Sequence, residues 1–346
     1  MTARRDLCGR RVLVALSGGV DSAVAAALLR EQGCEVVGVH MLLCGDADGS
    51  AAAAVAAELG IELHTCDCRP EFERCVIAPF CAAYQRGLTP NPCVDCNQHF
   101  KFGYLLAQLE RLNCACLASG HYARIVDNAG RLALARGRDV RKDQSYFMFP
   151  LCGMDMRRVL LPLGEMDKTQ VQELARRYRL AARHNDESQD ICFIPDNDYA
   201  AFLRQRMEEP PPGDIVHVDG RVLGRHDGCY RYTIGQRRGL GIAWREPLYV
   251  VAIDSAAARV VVGEKPHLLR RQMEVTRVIT ALPWRDMPEK IACRIRYRHQ
   301  PAAASLHLLE AGRVRVEFDQ PQSGITPGQA AVFYHNDCVI GGGWIA

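Results

Sequence analysis

Residues 12–29 run from an apolar strand through a short polar turn into an alanine-rich helix. Val12-Leu13-Val14-Ala15-Leu16 reads as the strand, Ser17-Gly18-Gly19-Val20-Asp21-Ser22 as the turn, and Ala23-Val24-Ala25-Ala26-Ala27-Leu28-Leu29 as the helix. The alternation continues, with strand signals at 11–16, 35–41, 61–66 and 114–119 and helix signals at 21–32, 49–59, 71–84 and 100–112. Such a chain is predicted to be α/β, a doubly wound and mostly parallel sheet with helices on both faces. Ligands then sit beyond the carboxyl ends of the strands. Ser17–Ser22 occupies one such end, and Met41 and Ser119-Gly120-His121 occupy others.

The pattern changes near residue 205. Pro210-Pro211-Pro212-Gly213 breaks the chain, and short strands follow at 214–218, 221–223 (after an Asp219-Gly220 hairpin turn), 248–253 and 259–263. More follow at 275–280, 291–298, 306–309, 314–318, 331–334 and 338–341. No helix-length periodic stretch interrupts them, so the last third is predicted to be a small all-β domain and then a barrel. At 346 residues the chain exceeds a single core, and the expected divisions are 1–205, 206–270 and 271–346.

No apolar run approaches the ~20 residues of a membrane span. Few apolar residues follow Arg4, Arg5, Arg10 and Arg11 before Ser17, too few for a secretory core, so a cytoplasmic protein is expected. In a reducing compartment the sixteen cysteines are thiols, metal ligands or catalytic groups. Cys66 with Cys68, and Cys114 with Cys116, read as small core hydrophobes. A net charge of +3 says little about partners. Three basic stretches say more: Arg176, Arg177, Arg179, Arg183 and His184; Arg231, Arg237 and Arg238; and Arg294, Arg296, Arg298 and His299. Each alone is a solvated face; together they point to a polyanion.

The polar turn suits a phosphate. Gly18 and Gly19 let backbone amides approach an anion, and the helix beginning at Asp21 adds its dipole. No Gly-Lys-Ser/Thr follows, so this is not a Walker loop. Ser17 and Ser22 can donate hydroxyls, and Asp21 suits phosphate bridged by Mg²⁺. The plain alternative is a serine-glycine turn capping a helix.

Ser17–Ser22 resembles the PP-loop of the N-type ATP pyrophosphatases, which split ATP into AMP and pyrophosphate. Further motifs follow in order: Gly87-Leu88-Thr89-Pro90-Asn91-Pro92-Cys93-Val94-Asp95-Cys96-Asn97, Lys101-Phe102, Ser119-Gly120-His121-Tyr122-Ala123-Arg124 and Lys142-Asp143-Gln144-Ser145-Tyr146-Phe147. Asp190-Ile191-Cys192-Phe193-Ile194, Thr233 to Gly241, Arg296-Tyr297-Arg298 and Thr326 to Tyr334 complete the series. Over nearly the whole chain they resemble the tRNA-specific 2-thiouridylases. The resemblance implies an adenine nucleotide α-hydrolase-like PP-loop domain, a small central domain and a carboxyl-terminal β-barrel. It implies ATP- and Mg²⁺-dependent replacement of O2 by sulfur at the wobble uridine, position 34, of tRNAs for lysine, glutamate and glutamine. A uracil oxygen leaves poorly, and adenylation turns it into AMP; sulfur then arrives from a cysteine persulfide. A cysteine desulfurase or a sulfur carrier is the implied donor.

Residue roles carry over in the same way. Cys96 matches the nucleophile and Cys192 the persulfide carrier, a pair that forms a disulfide during transfer. Ala15, Leu16, Ser17, Gly18, Gly19, Val20, Asp21, Ser22, Met41 and Gly120 match ATP contacts. Asn91, Pro92 and Cys93 lie where the family meets the target base. His121, Lys142, Asp143, Gln144, Arg296, Tyr297 and Gln329 match tRNA contacts. Around Cys96 the prolines and asparagines read as an irregular loop, with Lys101 as a cation that lowers a thiol pKa.

The chain departs from the family at Cys93, where many members carry aspartate. A thiol cannot inherit that acid's proton transfer, since its intrinsic pKa lies about four units higher; Asp95 is a candidate substitute. Cys93, Cys96 and Cys192 also offer three thiolates, enough for a four-iron cluster with one open iron, or for zinc. Persulfide pair, cluster and zinc all stand open on the sequence. So do a small-molecule PP-loop ligase and a non-catalytic tRNA- or metal-binding module, although a basic barrel and an intact thiol pair argue against both. The segment 42–49 is shorter than the family usually has.

Overall fold

A computed structural model describes residues 7–45, 48–184, 191–194 and 197–346. Arg4, Arg5 and Asp190, and the side chains of Arg183 and His184, lie outside the described residues.

Among the described residues the amino-terminal part contains seven strands: β1 (Arg11–Ala15), β2 (Glu35–Leu42), β3 (Glu62–Asp67), β4 (Cys116–Ala118), β5 (Ala123–Asn128), β6 (Arg131–Arg136) and β7 (Val159–Leu160). Five form a parallel sheet in the order β3-β2-β1-β4-β7. Val14 pairs with Gly38 on one side and Ala118 on the other, so β1 is central and its carboxyl end faces the middle of the sheet's ligand-binding edge. Helix α1 (Val20–Glu31) is buried almost all round because α2 (Ser50–Leu59) and α7 (Lys168–Arg177) flank it. That is why its sequence shows no polar stripe between Ala23 and Leu29.

Two kinked rods cover the thiol-bearing side. The first joins α3 (Arg69–Phe72) to α4 (Ala78–Gln85) through a π turn at Glu73–Ile77. The second joins α5 (Pro92–Cys96) to α6 (Leu105–Arg111) through a longer π stretch, Asn97–Tyr104. The irregular loop expected around Cys96 is therefore the first turn of a helix. Pro92 stands at N1, where its missing N–H costs nothing and its fixed φ favours the helix.

After α8 (Tyr199–Arg204), four strands form the central sheet in the order β10-β11-β8-β9: β8 (Gly213–His217), β9 (Val222–His226), β10 (Leu248–Asp254) and β11 (Arg259–Glu264). Ile215, Val250, Val260 and Val262 fill its core. The last six strands are β12 (Leu269–Thr280), β13 (Ile291–Arg294), β14 (Ala302–Leu308), β15 (Val314–Ser323), β16 (Ala330–His335) and β17 (Cys338–Ile345). Their sheet closes because β12 pairs with both β15 and β17, giving a barrel around Met273, Val275, Cys293, Phe318 and Phe333. The β5–β6 hairpin, which the sequence reading missed, extends the barrel sheet through Ala135 opposite Cys338. Among the described residues no helix is long and apolar enough to cross a membrane.

Candidate active site

The PP-loop folds back on itself. Ser22 Oγ donates to the Gly19 carbonyl at 2.9 Å and lies 3.2 Å from both the Ser17 N–H and Ser17 Oγ; the Gly19 N–H donates to Ser17 Oγ at 3.3 Å. No side chain caps α1, whose N-cap is Gly19, so the first-turn amides face the space beyond β1. Gly18 has φ +83°, and a Cβ there would meet Ala51 Cβ at 2.5 Å. A Cβ on Gly120 would lie 2.7 Å from the Asp21 carbonyl carbon and 2.8 Å from Ser22 N. Both glycines are required by close approach to the loop or from it. Leu16 is tied to β2, its N–H donating to Val39 O at 2.8 Å and its carbonyl lying 2.8 Å from His40 Nδ1. Ala15 and Met41 line the half-buried edge of the core nearby.

Asp21 Oδ1 accepts from Lys168 Nζ at 2.7 Å and from Tyr122 OH at 2.8 Å. Sequence reasoning assigned neither partner a role. The available signal was Asp167-Lys168-Thr169-Gln170, a capping box that places Lys168 at the first position of a helix.

The three thiols gather around Lys101. Cys93 and Cys96 lie one helical turn apart on α5, Cys93 half-buried and Cys96 7% exposed. Cys192 is drawn in by its neighbour Phe193. That ring packs edge-on against Phe72 (5.8 Å) and Phe80 (5.4 Å), and Phe72 in turn touches Phe100 (5.4 Å). Cys96, Phe100, Phe193 and Ile194 thus share one apolar cluster. Cys192 itself lies open at the rim, with Cys44 Sγ 4.0 Å from its carbonyl oxygen.

Lys101 is the cation common to the three thiols, and it favours the thiolate at each. The sign is the expected one, but burial outweighs it. Desolvation pushes Cys96 up to about 12 and raises Cys93 and Cys192 as well. Even at the rim, enough protein crowds Cys192 for desolvation to dominate. His121 stands against Phe102 (ring centroids 5.7 Å) with Nδ1 2.9 Å from Ser119 Oγ. Burial, with Lys101 adding to it, holds His121 well below its ordinary value, so the imidazole is neutral. Asp95 is half-buried and pushed up to about 6 by desolvation, partly opposed by Arg277 of β12.

All sixteen cysteines are free thiols. Among the described residues no group of three His, Cys, Asp or Glu side chains is arranged to hold a metal ion. Cys93, Cys96 and Cys192 therefore do not form a ligand set for a cluster or zinc as they stand. Mg²⁺ makes a smaller demand, one carboxylate together with substrate phosphates. Asp21, 31% exposed and with both hydrogen bonds on Oδ1, fits that demand through Oδ2.

The other expected contacts divide. Asn91 is buried and bonds Tyr146; Pro92 is buried beside it. Gln329 Nε2 donates to the carbonyls of Thr89 (2.9 Å) and Pro90 (3.2 Å), pinning the turn before α5 to the barrel. Asp143 is 3% exposed and accepts from the Gly137 and Ser145 N–H groups and from Arg294 Nη1 at 3.1 Å, so its carboxylate is engaged inside the protein. Gln144 bonds the Tyr122 backbone in both directions. Tyr297 packs on Phe147 at 4.5 Å. Lys142 is half-buried, whereas Arg296, Arg298, Arg237 and Arg238 are exposed.

Comparison with known proteins matches all three parts. Residues 10–196 match the family described as tRNA methyl transferase HUP domain, 200–264 its PRC-barrel domain, and 270–345 the aminomethyltransferase beta-barrel domain. Three relatives called tRNA-specific 2-thiouridylase MnmA align almost end to end. The one from Syntrophotalea carbinolica is 53% identical, covering 97% of this chain and 99% of its own. Those from Trichlorobacter lovleyi (47%, covering 97% of each chain) and Carboxydothermus hydrogenoformans (45%, covering 98% and 99%) are similar. At that identity over that length, the PP-loop, the thiol-bearing helix and the barrel are parts of one family pattern, and the chain belongs to the tRNA-specific 2-thiouridylases.

Proposed function

We propose that the chain is a cytoplasmic tRNA-uridine 2-sulfurtransferase that thiolates uridine 34 of tRNAs for lysine, glutamate and glutamine, cleaving ATP to AMP and pyrophosphate. One observation carries this reading. Gly120 touches the PP-loop backbone while the next residue, His121, stands against Phe102, whose neighbour Lys101 acts on all three thiols. A phosphate site and a thiol site are thus joined by one peptide unit. The family description mentions methyl transfer and the whole-chain relatives 2-thiouridine; the paired thiols favour the second.

ATP lies over the amides of α1 and the residues 15–22, with Met41 and Gly120 at its sides. Asp21 would hold Mg²⁺, which would neutralise charge on the phosphates. The uridine O2 attacks the α-phosphorus, pyrophosphate leaves with the bridging electron pair, and N3 gives up its proton. Asp95, pushed up to about 6 by desolvation, is the group on α5 suited to accept it where Cys93 stands. The terminal sulfur of a Cys192 persulfide, loaded by a desulfurase or carrier, attacks C2 and expels AMP. Cys96 then attacks Cys192 Sγ, which releases 2-thiouridine and leaves a Cys96–Cys192 disulfide. An external thiol supplies two electrons to reset it. Cys96 is protonated at rest because of its burial, so its attack requires loss of that proton, which the nearby Lys101 charge favours. The base must leave the anticodon stack, at a cost of a few kcal/mol, and the exposed arginines on the central domain and barrel offset it through backbone phosphates.

The test is a reconstituted reaction with unmodified tRNA, ATP, cysteine and a desulfurase, using protein purified without oxygen. Cys96→Ser and Cys192→Ser should each abolish thiolation, read by mercury-gel retardation, yet keep tRNA-dependent pyrophosphate release. Thiolation that survives Cys192→Ser sinks the persulfide route. So does near-stoichiometric iron and sulfide that disappears, together with activity, in Cys93→Ala.

A further inference from the structure

The short segment that follows β2 brings a further thiol to the side of Cys192. Cys44 Sγ lies 4.0 Å from the Cys192 carbonyl oxygen, although the two residues are 148 positions apart. Leu43 and Cys44 pack against the same apolar cluster that holds Ile191, Phe193 and Cys96. A charge on Cys192 is felt at Cys44, whose thiol it raises in addition to the larger effect of burial. Contact, shared packing and electrostatics thus all join this loop thiol to Cys192.

The three sulfurs differ in access. Cys96 is 7% exposed, Cys44 is half-buried and Cys192 is exposed. A disulfide between Cys96 and Cys192 therefore has one sulfur inside the protein and one at the rim, and exchange proceeds through whichever sulfur a thiolate can reach. Gly45, next to Cys44, has φ +61° and nothing within 4 Å of where a Cβ would stand, so the chain has room to shift there. The exposed Cys192 side chain has room to change rotamer. An S–S bond of ~2 Å asks for adjustments of that kind.

We propose that Cys44 is the resolving thiol of the reaction: it attacks Cys192 Sγ in the spent Cys96–Cys192 disulfide and moves the bond to the rim, where a dithiol reductant opens it. The inference deepens the persulfide reading and rests on it. In the exchange the Cys44–Cys192 bond forms and the Cys192–Cys96 bond breaks. The electron pair leaves on the Cys96 sulfur, a departure that Lys101 favours, and Cys96 takes up one proton while Cys44 gives up one. No net oxidation occurs in this step. The dithiol then supplies two electrons and two protons, and becomes a disulfide itself. The charge effect times the event. A Cys192 thiolate or persulfide discourages ionisation of Cys44, whereas a Cys192 sulfur tied in a disulfide carries no charge and lifts that restraint.

The experiment loads the full chain with persulfide from a desulfurase and cysteine, removes both, and adds unmodified tRNA and Mg·ATP without reductant. After acid quenching and alkylation, disulfide-linked peptides are mapped by mass spectrometry. The parent should yield Cys44 linked to Cys192, with Cys96 alkylated, in an amount about equal to or above that of Cys96–Cys192. Cys44→Ser should yield the Cys96–Cys192 link alone. In multiple turnover with limiting dithiothreitol, Cys44→Ser should give a burst of about one thiolated tRNA per chain and then a steady rate roughly tenfold below the parent's. The proposal is overturned if the parent forms only Cys96–Cys192, or if the steady rate of Cys44→Ser equals the parent's. Thiolation that survives Cys192→Ser would instead sink the persulfide reading and this inference with it, and that failure shows before any link is mapped.

Discussion

Asp95 sits on the same short helix as the two thiols, in a position where burial and charge oppose each other. Desolvation favours its neutral form and Arg277 its charged form, and burial wins, pushing it up to about 6. The fold therefore binds the Asp95 proton more tightly than the unfolded chain does. Stability from this group is intact below the unfolded value near 3.8 and is lost as pH rises through about 6. A shift of that size corresponds to about 3 kcal/mol at full burial, and to about 1–2 kcal/mol once solvent screening of a half-buried side chain is allowed for. Asp95→Asn should then be more stable than the parent by that amount at pH 8 and indistinguishable at pH 4, in urea titrations at the two pH values. Equal stabilities at both would mean that Arg277 fully pairs the carboxylate. The C-x-x-C spacing made the thiols of this helix legible in the sequence. The contest of burial against Lys101 was not, because Cys192 and the aromatic rings that desolvate Cys96 come from distant segments. Lys168 and Tyr122 were hidden for the same reason, lying 147 and 101 residues from Asp21.

At the scale of elements, the parallel sheet was readable because each strand and helix carries its own hydrophobic period. The kinked rods were less so. A π stretch such as Asn97–Tyr104 has no distinctive apolar period, and Pro92 looks like a breaker until the helix it starts is seen. The loop–strand contact at Gly120 tests how tightly these elements are set. Its Cβ-to-be meets backbone atoms of Asp21 and Ser22 at 2.7–2.9 Å, and backbone cannot rotate away as a side chain can. Gly120→Ala should displace the first turn of α1 from β4 and lower tRNA-dependent pyrophosphate release on the order of 10²-fold, as sub-ångström to ångström misplacement of reacting groups does. Affinity for tRNA, measured by filter binding, should stay within a factor of about two, since the exposed arginines lie on the central domain and barrel rather than on the loop. Unchanged pyrophosphate release would mean that the loop has room it does not show.

Across the whole molecule, the barrel is fastened to the part that carries the chemistry. Arg294 of β13 reaches the buried Asp143 at 3.1 Å, Tyr146 OH donates to the Ala330 carbonyl at 2.8 Å, and Thr89 N–H donates to the Pro327 carbonyl at 3.0 Å. Gln329 adds a contact close to the thiol-bearing helix, bonding two successive carbonyls just before the Asn91-Pro92 start of α5. Gly328 permits that approach, since a Cβ there would meet Thr89 O at 3.0 Å. The family resemblance marks Gln329 as a tRNA contact. Its amide nitrogen already holds the turn before α5, so a tRNA that engages the same side chain acts on a residue attached to α5. Removing the amide separates the two roles. Gln329→Ala should speed hydrogen exchange at the amides of residues 88–96 and leave those of β16 and β17 unaffected, because the barrel core does not depend on this side chain. Losing two hydrogen bonds to partly buried carbonyls should cost about 1–3 kcal/mol of local stability, which predicts roughly 5- to 150-fold faster exchange in that turn. Alkylation of buried Cys96 by iodoacetamide should quicken in parallel, since its protection comes from the packing of the same turn. Exchange that stays slow at 88–96 would assign the hold on the turn to the Thr89–Pro327 backbone pair, and would leave Gln329 free to serve the tRNA alone.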